Sequence, residues 1–171
     1  MCIRDSIEIV DGVLPSVLIE APPDSNVQLD QKLDPQKKLP LKAVVACPNV
    51  TDPQVTYAWS ATSISDPQLS PDLSLASTTG ASGPLLVIRE LQLVPGGQYI
   101  FTVVATCNDQ QATSSLTINM NQRPWAGMLE VSEGPYTAGI TTIALNAKGF
   151  VDYLDDYPLS YTFSYLSLIH I

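Results

Sequence analysis

Apolar and polar residues alternate along most of the chain, in short runs that turn-forming residues separate. Between Leu39 and Cys47, every second residue is apolar and falls on one face, which is the period of a β-strand. The predicted strands over residues 16–120 are Ser16–Glu20 with an extension at Asn26–Gln31, Lys38–Cys47, Gln54–Thr62, a short edge strand at Leu69–Leu75, Leu85–Leu93, Tyr99–Cys107 and Ala112–Met120. About seven short strands predict an all-β, immunoglobulin-like or fibronectin-III-like sandwich. An all-β barrel is the alternative that this pattern leaves open.

The strand pattern restarts near the C-terminal end of the chain. After a linker at residues 121–126, further strands are predicted at Met128–Ser132, Ile140–Ala147 and Leu159–Tyr165. Three strands are too few to close a sandwich. We therefore expect a first β-sandwich module over residues 7–120 and a second, truncated sandwich module over residues 127–166.

The two ends of the chain read as foreign sequence. Residues 1–6 (Met-Cys-Ile-Arg-Asp-Ser) and residues 167–171 (Ser-Leu-Ile-His-Ile) resemble translated sequencing adapters, so we set them aside from the fold prediction. Genuine termini are the alternative. On the first interpretation the chain is an internal fragment of a longer protein, and its single histidine, His170, belongs to an artefact.

Charge and composition exclude several classes of function. The formal net charge is −9, and the densest group of cations is Lys32, Lys37, Lys38 and Lys42, which is too sparse for the phosphate contacts of a nucleic-acid interface. No run of about 18 apolar residues is present, so we expect no membrane span in this fragment.

Enzyme activity is not expected either. Without a histidine outside the tail, the chain lacks the base of a serine or cysteine mechanism and the usual ligand of a zinc site. The run Pro95-Gly96-Gly97 precedes a strand, whereas a phosphate-binding loop opens a helix. Residue type alone leaves a carboxylate pair for glycoside hydrolysis open, but no cleft is predicted to hold one. We expect no catalytic, cofactor or metal site.

Two cysteines close predicted strands. Cys47 ends the second strand and Cys107 ends the sixth, and both lie on the apolar face. In a Greek-key sandwich these strands run the same way in facing sheets, so their ends meet at one pole and a disulfide is geometrically reasonable. A disulfide would place the protein in an oxidising compartment. Two buried thiols that never touch are the alternative, because connectivity cannot be proved from sequence.

Two aromatic residues have patterns typical of folding roles. Trp59 lies on an entirely apolar strand face, which favours packing between the sheets over an exposed platform for glycan stacking. Tyr99 follows the Pro95-Gly96-Gly97 turn at the start of a strand, and this is the position of a tyrosine corner whose hydroxyl bonds to nearby backbone.

Two loops carry candidate sites. Asn49-Val50-Thr51 is a glycosylation sequon, which makes Asn49 a candidate for a glycan in a surface loop. Asp152, Asp155 and Asp156 cluster in another loop, and carboxylates of this kind are ligands for Ca²⁺. Their spacing is not that of an EF-hand, so an acidic turn between strands is the favoured interpretation and a calcium site the alternative.

Several segments resemble the receptor-for-egg-jelly (REJ) region of polycystin-type and sperm-receptor membrane proteins. They are Tyr57–Trp59, Leu93–Phe101, Asn121–Gly139 and, most closely, Gly149–Tyr165, where an aromatic-x-Asp loop precedes Pro-Leu-x-Tyr-x-Phe-x-Tyr. The family's linker usually has Pro-Pro followed by Gly-Gly, whereas this chain has Pro124-Trp125 and Ala126-Gly127.

This resemblance implies fibronectin-III-like or PKD-like modules on the extracellular face of a membrane protein. The expected function is structural and ligand-contacting, in cell-surface recognition or adhesion and in some members beside a cation channel. The expected partners are neighbouring β-sandwich modules of the same chain and a protein or glycan ligand. The alternatives are an accessory β-sandwich of a secreted protease or glycan hydrolase, and a surface adhesin.

Overall fold

The computed structural model describes residues 14–23, 25, 27–48, 54–137 and 139–164. The chain divides into two compact units, Met1–Asn121 and Gln122–Ile171. Its structure is built mostly from antiparallel strands, so the predicted all-β class is confirmed.

Unit 1 consists of two three-stranded sheets. In chain order, its strands are β1 (Ser16–Glu20), β2 (Leu39–Ala46), β3 (Val55–Ser63), β4 (Leu85–Ile88), β5 (Gln98–Cys107) and β6 (Gln110–Asn119). One sheet has the order β1-β2-β4 and the other has the order β3-β5-β6. All the pairs are antiparallel. Five of these strands begin and end within two residues of their predicted positions, and β4 does not.

The core of unit 1 lies between the two sheets. Leu41 and Ile88 from the first sheet and Phe101 and Val103 from the second are fully buried in one cluster. Along β5, buried and half-buried residues alternate without interruption, as expected for a strand with one face on the core. Burial of each large apolar side chain stabilises the fold by about 1.5–3 kcal/mol.

A two-residue turn joins β5 to β6. Cys107 pairs with Gln110, and the residues between them, Asn108 and Asp109, have φ values of 45° and 69°. Positive φ at both central positions defines a type I′ turn, whose twist matches that of the flanking strands. Asn and Asp tolerate this conformation better than other non-glycine residues, so the sequence fixes the register of the hairpin at this point.

The predicted edge strand at Leu69–Leu75 is wrong. The segment contains a 3₁₀ turn, Pro67–Leu69, and one turn of α-helix, α1 (Leu73–Ala76). The carboxylate of Asp66 accepts the N–H of Gln68, and that of Asp72 accepts the N–H of Ser74, each at 2.9 Å. These bonds satisfy backbone donors at the start of each turn, and this local capping outweighs the weak strand pattern.

Two other predictions in unit 1 also need correction. β4 ends at Ile88 and does not continue to Leu93, because Leu91 has a φ of 63°, which no strand residue adopts. Its N–H donates to the Pro35 carbonyl at 2.8 Å. The described part of Asn26–Gln31 forms no strand; it turns back, and Leu33 then makes an isolated parallel bridge with Met120.

Unit 2 contains a two-stranded antiparallel ribbon, β7 (Trp125–Val131) and β8 (Leu145–Val151). β7 therefore begins inside the predicted linker at 121–126, and β8 begins five residues after the predicted start at Ile140. The described residues of the predicted strand Leu159–Tyr165, up to 164, are not in a strand.

The ribbon is distorted around two glycines. Ala126, Gly127 and Gly149 all have positive φ, and the ring of Phe150 lies where a side chain on Gly127 would be. The ring covers the backbone at the point where glycine provides no side chain of its own. β8 begins at Leu145, which lies opposite Val131, the last residue of β7.

Candidate functional site

A disulfide joins Cys47 and Cys107 at one pole of unit 1. Cys47 directly follows β2, Cys107 is the last residue of β5, and their Cα atoms are 6.3 Å apart. This separation is within the usual range for disulfides of about 4.4–6.8 Å. The predicted bond is therefore confirmed, and the alternative of two free thiols is wrong. The bond links the two sheets, since β2 and β5 belong to different ones.

The glycosylation candidate Asn49 lies outside the described residues. Its place in the sequence, two residues after a half-buried cysteine, puts it next to the disulfide along the chain. The assignment of a glycan to Asn49 stays a prediction.

The aromatic residues singled out in unit 1 have folding roles. The Val94 N–H donates to the Tyr99 hydroxyl at 2.8 Å, which confirms the predicted tyrosine corner. Trp59 is buried, and its indole N–H donates to the Gly83 carbonyl at 2.9 Å. A buried, hydrogen-bonded indole is not available for glycan stacking, so the interpretation of Trp59 as a core residue is confirmed.

The acidic loop of unit 2 is an ordered turn. The N–H of Asp152 donates to the Tyr157 hydroxyl at 3.0 Å, and its Oδ1 accepts the N–H of Tyr153 at 2.9 Å. Tyr157 thus bonds to the backbone five residues before it, as Tyr99 does in unit 1. Sequence reasoning missed this second tyrosine corner, although the spacing of Asp152 and Tyr157 could have indicated it.

The carboxylates of this loop do not converge. Asp152 is buried and accepts a backbone N–H, whereas Asp155 is exposed on the 3₁₀ turn Leu154–Asp156. Within the described ranges, no group of three or more His, Cys, Asp or Glu side chains is placed to hold a metal ion. The geometry thus gives the calcium alternative for Asp152, Asp155 and Asp156 no support.

A cavity of about 270 Å³ opens on unit 1, and sequence analysis did not predict it. The segment 27–38 forms one wall. Its backbone is tied to the end of β6, since the Leu33 N–H donates to the Asn119 carbonyl at 2.8 Å and the Asn121 N–H donates to the Leu33 carbonyl at 2.7 Å. The lining residues include both the buried core and the surface cations of this segment.

The apolar part of the cavity is the edge of the core. Leu39, Ile88, Leu93 and Met120 are all buried core residues that line it, and Leu33 packs against them. These side chains come from β2, β4, the tyrosine-corner loop and the residue after β6. Their positions are fixed by the fold, so the floor of the cavity is preformed.

The rim of the cavity is positively charged. Lys32, Lys37, Lys38 and Arg89 line it, against a single carboxylate, Asp34. These are four of the eight lysines and arginines in a chain whose net charge is −9. Three of the four lysines that form the densest basic group in the sequence therefore meet at one cavity. Arg89 is distant from these lysines in the sequence, and the fold brings it to the same cavity.

The comparisons with known proteins place the chain in a family. Among the described residues, no helix is long and apolar enough to span a membrane. A comparison with curated proteins returned no match. The family model for the REJ domain matches residues 4–170, which is nearly the entire chain and includes parts of both ends predicted to be foreign. The resemblance seen in the sequence motifs is thus confirmed, and the chain belongs to the REJ-domain family.

Proposed function

We propose that this chain is a structural and ligand-contacting module on the extracellular face of a polycystin-like or REJ-like membrane protein, with a role in cell-surface recognition or adhesion and no catalytic activity. The observation that carries the proposal is the Cys47–Cys107 disulfide in a chain matched almost throughout by the REJ domain. A disulfide between strand ends of a small sandwich is typical of extracellular proteins.

The first test of this proposal is the complete reading frame of the transcript. We expect it to encode transmembrane helices beyond this chain, together with further β-sandwich modules. A frame that encodes a secreted protease or glycan hydrolase and no transmembrane helix would replace the proposal with that of an accessory domain.

The second test is the location of unit 1 in the cell. An antibody raised against unit 1 should label intact cells that make the protein, and permeabilisation should not be required. An antibody against a cytoplasmic protein is the control and should label only permeabilised cells. Labelling by both antibodies only after permeabilisation would contradict an extracellular location.

We also propose that unit 2 is part of a larger β module. Every residue of β7 is exposed, and so are many of the unit's large apolar side chains, including Met128, Leu129 and Ile140. An isolated two-stranded ribbon is marginally stable in water. If the native neighbouring sequence supplies the rest of the module, its presence should slow amide exchange in β7 and β8. Equal exchange with and without that sequence would contradict this.

A further inference from the structure

We propose that the basic-rimmed cavity of unit 1, lined by Leu33, Ile88, Leu93, Met120, Lys37, Lys38 and Arg89 among others, binds an acidic peptide segment that carries an apolar side chain. This inference rests on the ligand-contacting role proposed above and gives that role a site and a class of partner. It is independent of where the protein is located.

The first argument is the contrast between the cavity and the rest of the chain. The chain carries 17 acidic residues and 8 basic ones, yet its cavity has four cations and one carboxylate. The carboxylate, Asp34, accepts the N–H of Gln36 at 2.9 Å, so it already has a structural use in the turn. A local positive field on an acidic protein attracts anions.

The second argument is the apolar character of the cavity floor. Phosphate-type polyanions require cations alone, whereas this cavity is lined by buried leucine, isoleucine and methionine side chains as well as by cations. An apolar floor gains free energy only from an apolar group, at about 25 cal/mol per Å² covered. The pairing of an apolar floor with a cationic rim therefore fits a partner in which carboxylates flank an apolar side chain.

The third argument is size. The cavity volume of about 270 Å³ is just below the range of about 300–1,000 Å³ that is typical of small-molecule sites. It can hold one or two side chains of a peptide, while the flanking carboxylates remain outside on the rim. Lys37 and Lys38 are exposed at that rim, where long flexible side chains can adjust to an incoming anion.

The experiment measures fluorescence anisotropy with the full 171-residue chain and a short fluorescein-labelled peptide that combines aspartates with two leucines. Two matched peptides separate the contribution of charge to binding from that of the apolar side chains. One has asparagine in place of aspartate, and the other has serine in place of leucine. We expect binding of the first peptide, weakening by about tenfold or more for each matched peptide, and further weakening at high salt. Equal binding of all three peptides, or no binding, would overturn the proposal.

Variants of the chain locate the site. The double substitution Lys37→Glu and Lys38→Glu should weaken peptide binding by about tenfold or more, whereas Lys42→Glu, an exposed lysine outside this cavity, should not. Thermal unfolding shows whether both variants fold. If the double variant does not, Arg89→Gln tests the same rim with a smaller change. Equal effects of Lys42→Glu and of the rim substitutions would overturn the site.

Heparin in the same assay tests the other class of anion. Binding of heparin but not of the peptide, lost in the double variant, would overturn the peptide as partner and assign the cavity to an anionic glycan. A failure of peptide binding would leave the cell-surface labelling result unaffected, so failure of this inference and failure of the proposed function can be told apart.

Discussion

The hydroxyl of Tyr99 fixes the corner between the two sheets of unit 1. It accepts the N–H of Val94 at 2.8 Å, and the tyrosine itself is buried beside Phe101 and Leu93. A backbone donor that loses its partner in a partly buried site costs about 1–3 kcal/mol. The single hydroxyl therefore has a measurable share in the stability of the unit.

The substitution Tyr99→Phe removes this hydroxyl and preserves the ring. We expect the free energy of unfolding to fall by about 1–3 kcal/mol, measured by urea denaturation. Tyr57→Phe, on a half-buried tyrosine of β3, is the matched control and should change stability less. Equal effects of the two substitutions would contradict a special role for the corner.

The same corner requires glycine at position 97, because it has no space for a side chain there. A Cβ atom there would lie 2.9 Å from the Val94 carbonyl oxygen and 2.9 Å from a ring carbon of Tyr99. We expect Gly97→Ala to destabilise unit 1 by about 1–3 kcal/mol, the usual cost of overpacking. Gly83→Ala is the control, because nothing lies within 4 Å of its Cβ position. The comparison uses thermal unfolding, and a stable Gly97→Ala protein would refute the steric argument.

At the scale of elements, the strand pattern predicted most of unit 1 and missed its short helical turns. More buried and less buried residues alternate along four strands that pack on the core, β2, β3, β5 and β6. The period of two is therefore visible in their sequences. The segment with α1 has only a weak alternation, and its conformation depends on two aspartates that cap the turns. Short capped turns are decided by local hydrogen bonds, which a hydrophobic pattern does not record.

The cap of α1 has a pH dependence with a definite sign. Hydrogen bonds from the Ser74 hydroxyl and the Ser74 N–H hold the pKa of Asp72 below its ordinary value of 3.8. Because the folded pKa is the lower one, the charged carboxylate stabilises the folded state above pH 3.8. This contribution is lost as the pH falls through the folded pKa.

Asp72→Asn tests this dependence, because asparagine preserves an acceptor at the cap without the charge. We expect the wild-type chain to be slightly more stable than the variant at neutral pH, and the difference to vanish in strong acid. Urea midpoints across the acid range measure it, with Asp66→Asn, at the other capped turn, as a comparison. A difference that persists unchanged at the lowest pH would contradict the assignment to the carboxylate.

The cavity could be predicted only in part, because its lining comes from distant parts of the sequence. The density of lysines at positions 32–42 is visible in the sequence, although it is too low to indicate a nucleic-acid interface. The contribution of Arg89 and of Met120 depends on how β4 and β6 end beside the segment 27–38. Proximity of this kind arises from sheet order, which strand patterns do not contain.

At the scale of the whole molecule, the disulfide makes the stability of the fold depend on the compartment in which the protein is located. It links residues 60 positions apart, and in the loop-entropy account a closed loop of this length stabilises the folded state by about 4 kcal/mol. A protein made and kept in a reducing compartment would lack this stabilisation. Fold stability and cellular location are therefore coupled through one bond.

Reduction should lower the stability of unit 1 without changing unit 2. We expect the free energy of unfolding of unit 1 to fall by about 4 kcal/mol in the presence of a thiol reductant, measured by urea denaturation with Trp59 fluorescence in a Trp125→Phe background, which removes the tryptophan of unit 2. Exchange of amides in β7 and β8 should be unchanged, since both described cysteines lie in unit 1. An unchanged unfolding midpoint for unit 1 would contradict the account.

The most direct test of the account is alkylation of the native protein, taken from the cells that make it, followed by mass spectrometry. The account predicts that Cys47 and Cys107 are protected before reduction, are recovered in one cross-linked pair of peptides, and both become alkylated after reduction. Full alkylation of both thiols without reductant would contradict the disulfide in its native setting and remove the main support for an extracellular REJ module.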